Sequence, residues 1–478
     1  MLLPDTERAL LHRVATAQRD GRAPSLAAAV VRDGSLAWSH AIETTTDTQF
    51  RIGSLSKTFV AVLVMRLRDE GRLRLDDPLE AHLTDAPAAA RGLTIGQLLS
   101  HTAGLASETP APWWERTPGS LRPELADIVG EEGRKHPPGH RFHYSNPGFG
   151  LLGATVESLR GRPWPEVLQD AVLDPLKMAR TSFLPSAPHA QGLAVHPWAD
   201  VVQSEVVQET GRMAPAGQLW STVEDLCRFA TLLTNGADGV LSAETAAEMR
   251  EPRSAPEAGS WDGSYGLGVQ LLHSPQRMLA GHTGSMPGFL CVLWVCVEDD
   301  VAAVALANTT SGLSIGTLGA ELVGIVADRE PRIPAPWRPM KELDRSLLQL
   351  VGVWFWGTAG FSLRLEADRY LKLGSLAGAG SRDARFRPAD DGTWVGLNGY
   401  FAGETLRPVR DEEGSLSHLD IGSFVFTREP YDPDAPIPGG VDPEGWRTQP
   451  THSSSTCAPR ARPAAPKADL AGSRSALK

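Results

Sequence analysis

Cysteine is scarce in this chain: Cys227, Cys291, Cys296 and Cys457 are the only four in 478 residues. Their spacing fits neither a metal-ligand set nor a disulfide framework. Cys291 and Cys296 lie an odd number of residues apart in a strand-like run, so they should face opposite sides. The N-terminus, Met1-Leu2-Leu3-Pro4-Asp5-Thr6-Glu7-Arg8, lacks a basic start followed by a long apolar run, which argues against a signal peptide or anchor. Positive charge is also in deficit. With 46 Lys and Arg against 57 Asp and Glu, the formal net charge of -11 argues against a nucleic-acid or anionic-membrane partner. These absences point to the cytoplasm and to a small-molecule substrate, with no metal and no cofactor. The length allows roughly three domains, or one large α/β unit and a smaller one.

What the chain does have is a long buried-type helix with a polar start. Phe59, Val60, Ala61, Val62, Leu63, Val64 and Met65 are apolar on every face, so a helix made of them must be covered on all sides. The run is too short to span a bilayer. Gly71 is placed to end the helix in the left-handed conformation. Before the run stands Arg51-Ile52-Gly53-Ser54-Leu55-Ser56-Lys57. Ser54 and Lys57, three apart, share one helix face. Burial disfavours an ammonium, and a neutral amine can take the proton of a neighbouring serine hydroxyl and make it a nucleophile. The spacing alone does not make a site: Ser475-Ala476-Leu477-Lys478 repeats it in a tail with no core to bury the lysine.

The order of elements predicts one sheet interrupted by helices. A helix over 5–19 precedes a hairpin of strands at 25–31 and 35–39. A short helix at 94–99 and helical segments at 122–131, 148–160, 164–171, 222–233 and 242–249 follow. Strand character returns at 265–272, 289–297 and 301–307, and a helix over 315–328 closes the unit. Strands, then helices, then strands fit an antiparallel sheet flanked by helices with an all-helical insertion, the first and last segments pairing in space. This α/β (α+β) domain is expected over 1–330, with a proline-rich linker at 331–340. Short alternating runs such as Phe361-Ser362-Leu363-Arg364-Leu365 predict a small β-barrel or lipocalin-like domain at 341–430, and the composition of 431–478 predicts a disordered tail.

Further motifs accompany Ser54. Tyr144-Ser145-Asn146 precedes the 148–160 helix, and Gly281-His282-Thr283-Gly284-Ser285 lies among the later strands. With Ser54-x-x-Lys57, the Tyr144-x-Asn146 and His282-Thr283-Gly284 elements resemble the three motifs of the class C β-lactamase and penicillin-binding-protein superfamily of serine hydrolases, in the family's order. Leu98-Leu99-Ser100-His101-Thr102-Ala103-Gly104-Leu105 and Pro215-Ala216-Gly217-Gln218-Leu219-Trp220-Ser221-Thr222 are similar to two accessory stretches of that family. The resemblance covers roughly residues 1–330.

It implies an acyl-enzyme on Ser54, with Lys57 and Tyr144 passing the proton from the attacking hydroxyl to the leaving group. A tyrosine can act as a base near neutral pH only if a cation lowers its pKa, and Lys57 is the candidate. By the same resemblance the N–H groups of Ser54 and Ser285 form an oxyanion hole, Asn146 holds Lys57 or a substrate amide, and Gly284 lets the strand edge approach the substrate. Enzymes acting on β-lactams usually carry lysine where this chain has His282, which is mostly neutral at cytoplasmic pH. Histidine here resembles the esterase and D-aminopeptidase branches. A carboxylesterase or related acyl hydrolase therefore ranks first, and a β-lactamase or D-amino-acid peptidase second, with an ester, amide or lactam as substrate.

Other readings compete. Gly312-Leu313-Ser314-Ile315-Gly316 matches a nucleophile elbow, although helix capping by Ser314 or Ser311 explains it more simply. His136, His140 and His143 are close in sequence, but Pro137, Pro138 and Gly139 break the regular element that would aim them at a metal. Trp113-Trp114 either lines a pocket or packs its loop down. A catalytically silent binding module is the non-enzymatic alternative, and the intact Ser54, Lys57 and Tyr144 argue against it.

Overall fold

The strands Leu26–Arg32, Phe289–Cys296 and Val301–Ala307 are buried along almost their whole length because helices cover both faces of their sheet. In this computed structural model, residues 2–254, 263–274, 276–340, 342, 344–378, 380, 382–430 and 438 are described. The tail from 431, Pro438 apart, and the second Ser-x-x-Lys match lie outside them. The chain divides into two compact units, the first covering Met1–Pro334 and the second beginning at Ala335.

The first unit carries a seven-stranded sheet in the order Ser35–Ile42, Leu26–Arg32, Val301–Ala307, Phe289–Cys296, Arg277–Met286, Gln270–Ser274, Gly263–Tyr265. Every neighbouring pair is antiparallel. Leu26 pairs with Ala307 and Arg32 with Val301, so the two ends of the unit meet across one ladder, as the order of elements predicts. Alternate residues point to opposite cores. Ala27, Ala29 and Val31 join the cluster around the Ser56–Asp69 helix, whereas Leu26, Ala28 and Val30 face the cluster formed with helices Pro4–Asp20 and Ile315–Arg329. Cys291 and Cys296 divide between the same two clusters.

The Ser56–Asp69 helix is buried as its composition requires. Phe59 through Met65 and Leu67 are at most 2% exposed, each of these side chains larger than alanine contributing roughly 1.5–3 kcal/mol by leaving water. Phe59 stacks on Phe229 of the Val223–Asn235 helix with ring centroids 3.7 Å apart. Gly71 follows the helix at φ +71°. Among the described residues no helix is long and apolar enough to cross a membrane.

Three stretches differ from the sequence reading. Residues 265–272 are two strands joined by a tight turn, closed by Gly266 N–H donating to the Val269 carbonyl at 2.9 Å. Gly268 in that turn has φ +76°, and a Cβ there would lie 2.1 Å from the Ala61 Cβ, so the turn packs directly on the buried helix. The Arg277–Met286 strand, absent from the order read by periodicity although the family resemblance implies a strand edge at Gly284, is a full member of the sheet. Its two glycines, Gly281 and Gly284, interrupt the side-chain alternation by which a strand is recognised. The helix expected over 122–131 shrinks to Leu125–Val129, with Pro123 before it and Gly130 at φ +73° after it.

Among the described residues of the second unit, eight strands, from Gly352–Trp356 to Phe424–Phe426, each pair antiparallel with the next in sequence. Phe355 and Thr427 exchange two backbone hydrogen bonds of 2.8 and 2.9 Å, which brings the first strand against the end of the last and closes the sheet. Trp354, Phe361, Leu363, Leu373, Phe386, Trp394, Leu419 and Phe426 fill the interior. The Trp354 indole N–H donates to the Leu350 carbonyl at 2.7 Å, and the Arg428 guanidinium covers its ring.

A Cβ at Gly284 would lie 2.0 Å from the Ile52 carbonyl oxygen. Its close approach is therefore to the segment that leads into Ser54, a contact that the expected approach to substrate does not describe. Gly284→Ala should destabilise the first unit by roughly 1–3 kcal/mol. A circular-dichroism melt checks this, and an unchanged Tm would mean that the Ile52 segment yields without cost.

Candidate active site

Ser54 sits in a 3-10 turn, Gly53–Leu55, that leads from the short strand Phe50–Arg51 into the Ser56–Asp69 helix. Gly53 adopts φ +53°, which a residue with a side chain would resist. The turn is anchored from both sides. Ile52 N–H donates to the Leu219 carbonyl at 2.9 Å, and the Cys291 thiol donates to the Ile52 carbonyl at 2.9 Å.

One turn into the helix, Lys57 is completely buried. Its Nζ lies 3.0 Å from Ser54 Oγ and 2.7 Å from the Ala216 carbonyl, both neutral oxygens. Burial pulls the Lys57 pKa down to about 7, while the more distant carboxylates of Glu108 and Glu115 oppose that shift. Near neutral pH a large share of this amine carries a lone pair, and the nearest hydroxyl is that of Ser54.

Tyr144 arrives from the loop before the Asn146–Arg160 helix. Ser145 caps that helix, its Oγ accepting from Gly148 N–H at 3.2 Å and donating to the Ala106 carbonyl at 2.7 Å. The Tyr144 hydroxyl is near enough to Ser54 for that side chain to favour its charged form, and its ring centroid is 5.0 Å from Lys57 Nζ. Burial pushes its pKa above the ordinary phenol value. The expected lowering by Lys57 does not occur, because desolvation of the phenolate outweighs a neighbouring amine that is itself only partly charged.

His282 is buried on the Arg277–Met286 strand. Its Nδ1 faces the Thr283 carbonyl and therefore carries the proton, so Nε2 accepts from the Tyr265 hydroxyl at 3.0 Å. Burial first, and Lys57 second, pull its pKa to about 3. Three residues on, Ser285 is exposed, and its backbone touches the Gly53–Leu55 turn: a Cβ on Gly53 would lie 2.6 Å from Ser285 N.

The Asn146 amide reaches neither Lys57 nor Ser54. Its Nδ2 donates to Glu108 Oε1 at 2.8 Å, and its Oδ1 is buried without a hydrogen-bond partner. The two tryptophans divide their roles. Trp114 is buried with its indole N–H on Glu108 Oε2 at 2.7 Å, whereas Trp113 is 55% exposed with its N–H on Glu115 Oε2 at 2.8 Å. Burial raises the Glu115 pKa, and Arg51 and Lys57 are the cations that oppose the rise. The loop thus holds two carboxylates near the amine of Lys57.

Ser54, Lys57, Tyr144, His282 and Ser285 come together. Ser314 stands exposed at the start of the Ile315–Arg329 helix, and its side chain makes no capping hydrogen bond. Sequence reasoning missed Glu108, Glu115 and Tyr265 as parts of the site, and saw His101 only within a motif. Their contacts join distant stretches and leave no local spacing; only the clustering of aromatic and acidic residues in 108–115 could have drawn attention.

Residues 9–328 match the β-lactamase family model, and residues 343–428 match a domain of unknown function (DUF7586). Penicillin-binding protein 4 of Amycolatopsis lactamdurans is 31% identical over 347 residues, which is 68% of this chain and 88% of that protein. The octameric penicillin-binding protein homologue from Pyrococcus abyssi superposes with a TM-score of 0.61 at 20% identity, covering 88% of this chain and 99% of the other. D-amino acid amidase from Ochrobactrum anthropi SV3 superposes with a TM-score of 0.56 at 23% identity, covering 68% and 98%. On the extent of the family match and the similarity to the Amycolatopsis protein, the chain belongs to the β-lactamase family of serine hydrolases.

Proposed function

We propose that Ser54 attacks an ester or amide carbonyl to form an acyl-enzyme that water then hydrolyses, with carboxylic esters as the preferred substrates. The observation that carries this reading is a buried amine 3.0 Å from Ser54 Oγ with a pKa drawn down to about 7. Lys57 takes the hydroxyl proton as Oγ bonds to the carbonyl carbon. Tyr144, whose pKa is raised, stays protonated and relays a proton to the departing oxygen or nitrogen. The N–H groups of Ser54 and Ser285 receive the oxyanion, a role supported by the contact between the Gly53 turn and the Ser285 backbone.

Esters rank above β-lactams because His282 is neutral and its Nε2 is engaged by Tyr265, so the strand offers no fixed cation there to a substrate carboxylate. A D-amino-acid peptidase or amidase is the second reading. Glu108 and Glu115 favour it, as two carboxylates near Lys57 suit a substrate ammonium. A cytoplasmic setting belongs to the same proposal and is supported by the free thiols of Cys227, Cys291 and Cys296.

Intact mass spectrometry with p-nitrophenyl acetate should find one acetyl group on wild-type protein and none on Ser54→Ala, with turnover reduced roughly 10⁴-fold or more. No acyl adduct and no turnover of any ester or of a chromogenic cephalosporin would leave a binding module; fast cephalosporin turnover would favour a β-lactamase. For p-nitrophenyl butyrate, kcat/KM should rise with pH through a midpoint near 7, as Lys57 loses its proton, and a flat profile from pH 5 to 9 would remove Lys57 as the base. The same pKa predicts a stability effect. Folded Lys57 sheds a proton near 7 and unfolded lysine near 10.5, so folding loses free energy as pH falls from about 10.5 to 7. Lys57→Met should relieve up to roughly 4 kcal/mol at pH 7 and much less at pH 10, measured by urea unfolding at both pH values. Glu115→Gln should cut kcat/KM for an alanine ester about tenfold while leaving the matching propionyl ester unchanged. Equal losses on both would count against the ammonium subsite.

A further inference from the structure

His101 ends the short Ile95–Leu99 helix with φ +55°, a left-handed conformation that a residue with a side chain adopts only when its surroundings hold it there. What holds it is the loop that carries Tyr144. The His101 carbonyl accepts the His143 N–H at 2.8 Å, and His101 Nδ1 accepts the Ser145 N–H at 3.0 Å. The residues on both sides of Tyr144 are thus fastened to one histidine. Its ring lies 4.2 Å, centroid to centroid, from the Tyr144 ring. The peptide before Tyr144, the peptide after it and its ring all rest on His101.

The two ring nitrogens are not equivalent. Nδ1 faces a backbone N–H and must be the acceptor, so the proton sits on Nε2. Nε2 is buried without a hydrogen-bond partner, among the rings of Tyr265, Phe149 and Phe142 at centroid distances of 4.6, 5.2 and 5.9 Å from the histidine ring. The one directed hydrogen bond of the imidazole therefore goes to the Tyr144 loop. Burial keeps the ring neutral, and protonation at Nδ1 would set two donors against each other at Ser145.

We propose that His101 is a positioning residue that fixes the Tyr144 hydroxyl against Ser54 and so sets the rate of proton delivery without touching substrate. This rests on the reading of Tyr144 as the proton relay. The geometry it requires is narrow: a displacement of the hydroxyl by about 1 Å is enough to cost roughly 100-fold in rate.

The test is a double-mutant cycle in the full-length protein, read with p-nitrophenyl butyrate. His101→Phe keeps a ring but removes the acceptor, and His101→Leu removes both. Each should lower kcat roughly 10- to 100-fold with KM within about threefold of wild type. His101→Asn should recover part of the loss, since asparagine tolerates the left-handed conformation and its Oδ1 can accept the Ser145 N–H. In a Tyr144→Phe background the same substitutions should cause no further loss, because the group they position is gone. If they multiply the Tyr144→Phe loss by their full single-mutant factor, or raise KM with kcat unchanged, His101 does not act through Tyr144. Should His101→Leu fail to fold, His101→Asn and His101→Phe complete the cycle. Wild-type kcat in Tyr144→Phe alone is a separate outcome that would overturn the relay reading itself.

Discussion

The structure depends on keeping one amine dry. Lys57 is completely buried, its Nζ is bonded to two neutral oxygens, and its pKa is drawn down to about 7. An ion pair at that position would stabilise the ammonium and hold its pKa up. The surroundings withhold one. Ala216 offers a carbonyl, Tyr144 a phenol and Ser54 a hydroxyl, while the two carboxylates of the neighbouring loop are tied to the indole N–H groups of Trp113 and Trp114. The apolar helix from Phe59 to Met65 supplies the low dielectric, and the packing that stabilises it offsets the cost of burying an amine.

Close backbone approach is the second requirement. Gly53, Gly268 and Gly284 each sit where a Cβ would collide with Ser285, Ala61 and Ile52 respectively. Together they draw the sheet edge, the turn at 266–269 and the start of the helix into direct contact. The Ile52 segment is also held by the Leu219 carbonyl and the Cys291 thiol. The backbone that carries Ser54 is thus held from several sides before any substrate arrives, the kind of preorganisation that the proposed acyl transfer would use.

Much of this was legible in the sequence because it is local or periodic. Ser54 and Lys57 share a helix face by spacing alone, and the all-round apolar run behind them forces burial. The pairing of 26–32 with 301–307 follows from the order of elements. Periodicity did not show the Arg277–Met286 strand, which only the family resemblance implied, because Gly281 and Gly284, the residues that permit its close contacts, carry no side chain to alternate. Partners of opposite stretches were hidden for a different reason. The Asn146–Glu108, His282–Tyr265 and His101–Ser145 contacts link residues 38, 17 and 44 positions apart, and no periodicity relates them. The direction of the Tyr144 shift could not be had from residue types either, since it turns on how deeply the phenol is buried.

The shifts around the site share one cause with one consequence. Desolvation opposes whichever form is charged, so it lowers Lys57, His101 and His282 and raises Tyr144, Tyr265 and Glu115. The histidines, which would ordinarily titrate near neutrality, are carried below that range, and the tyrosines, already above it, are carried further away. The lysine alone starts high enough to be brought down into it. A single physical effect therefore brings Lys57 toward neutral pH while it carries His101, His282, Tyr144 and Tyr265 away from it. An amine whose histidine and tyrosine neighbours stay neutral can accept a proton without disturbing their hydrogen bonds. The Tyr265–His282 and His101–Ser145 contacts can then persist in both protonation states of Lys57.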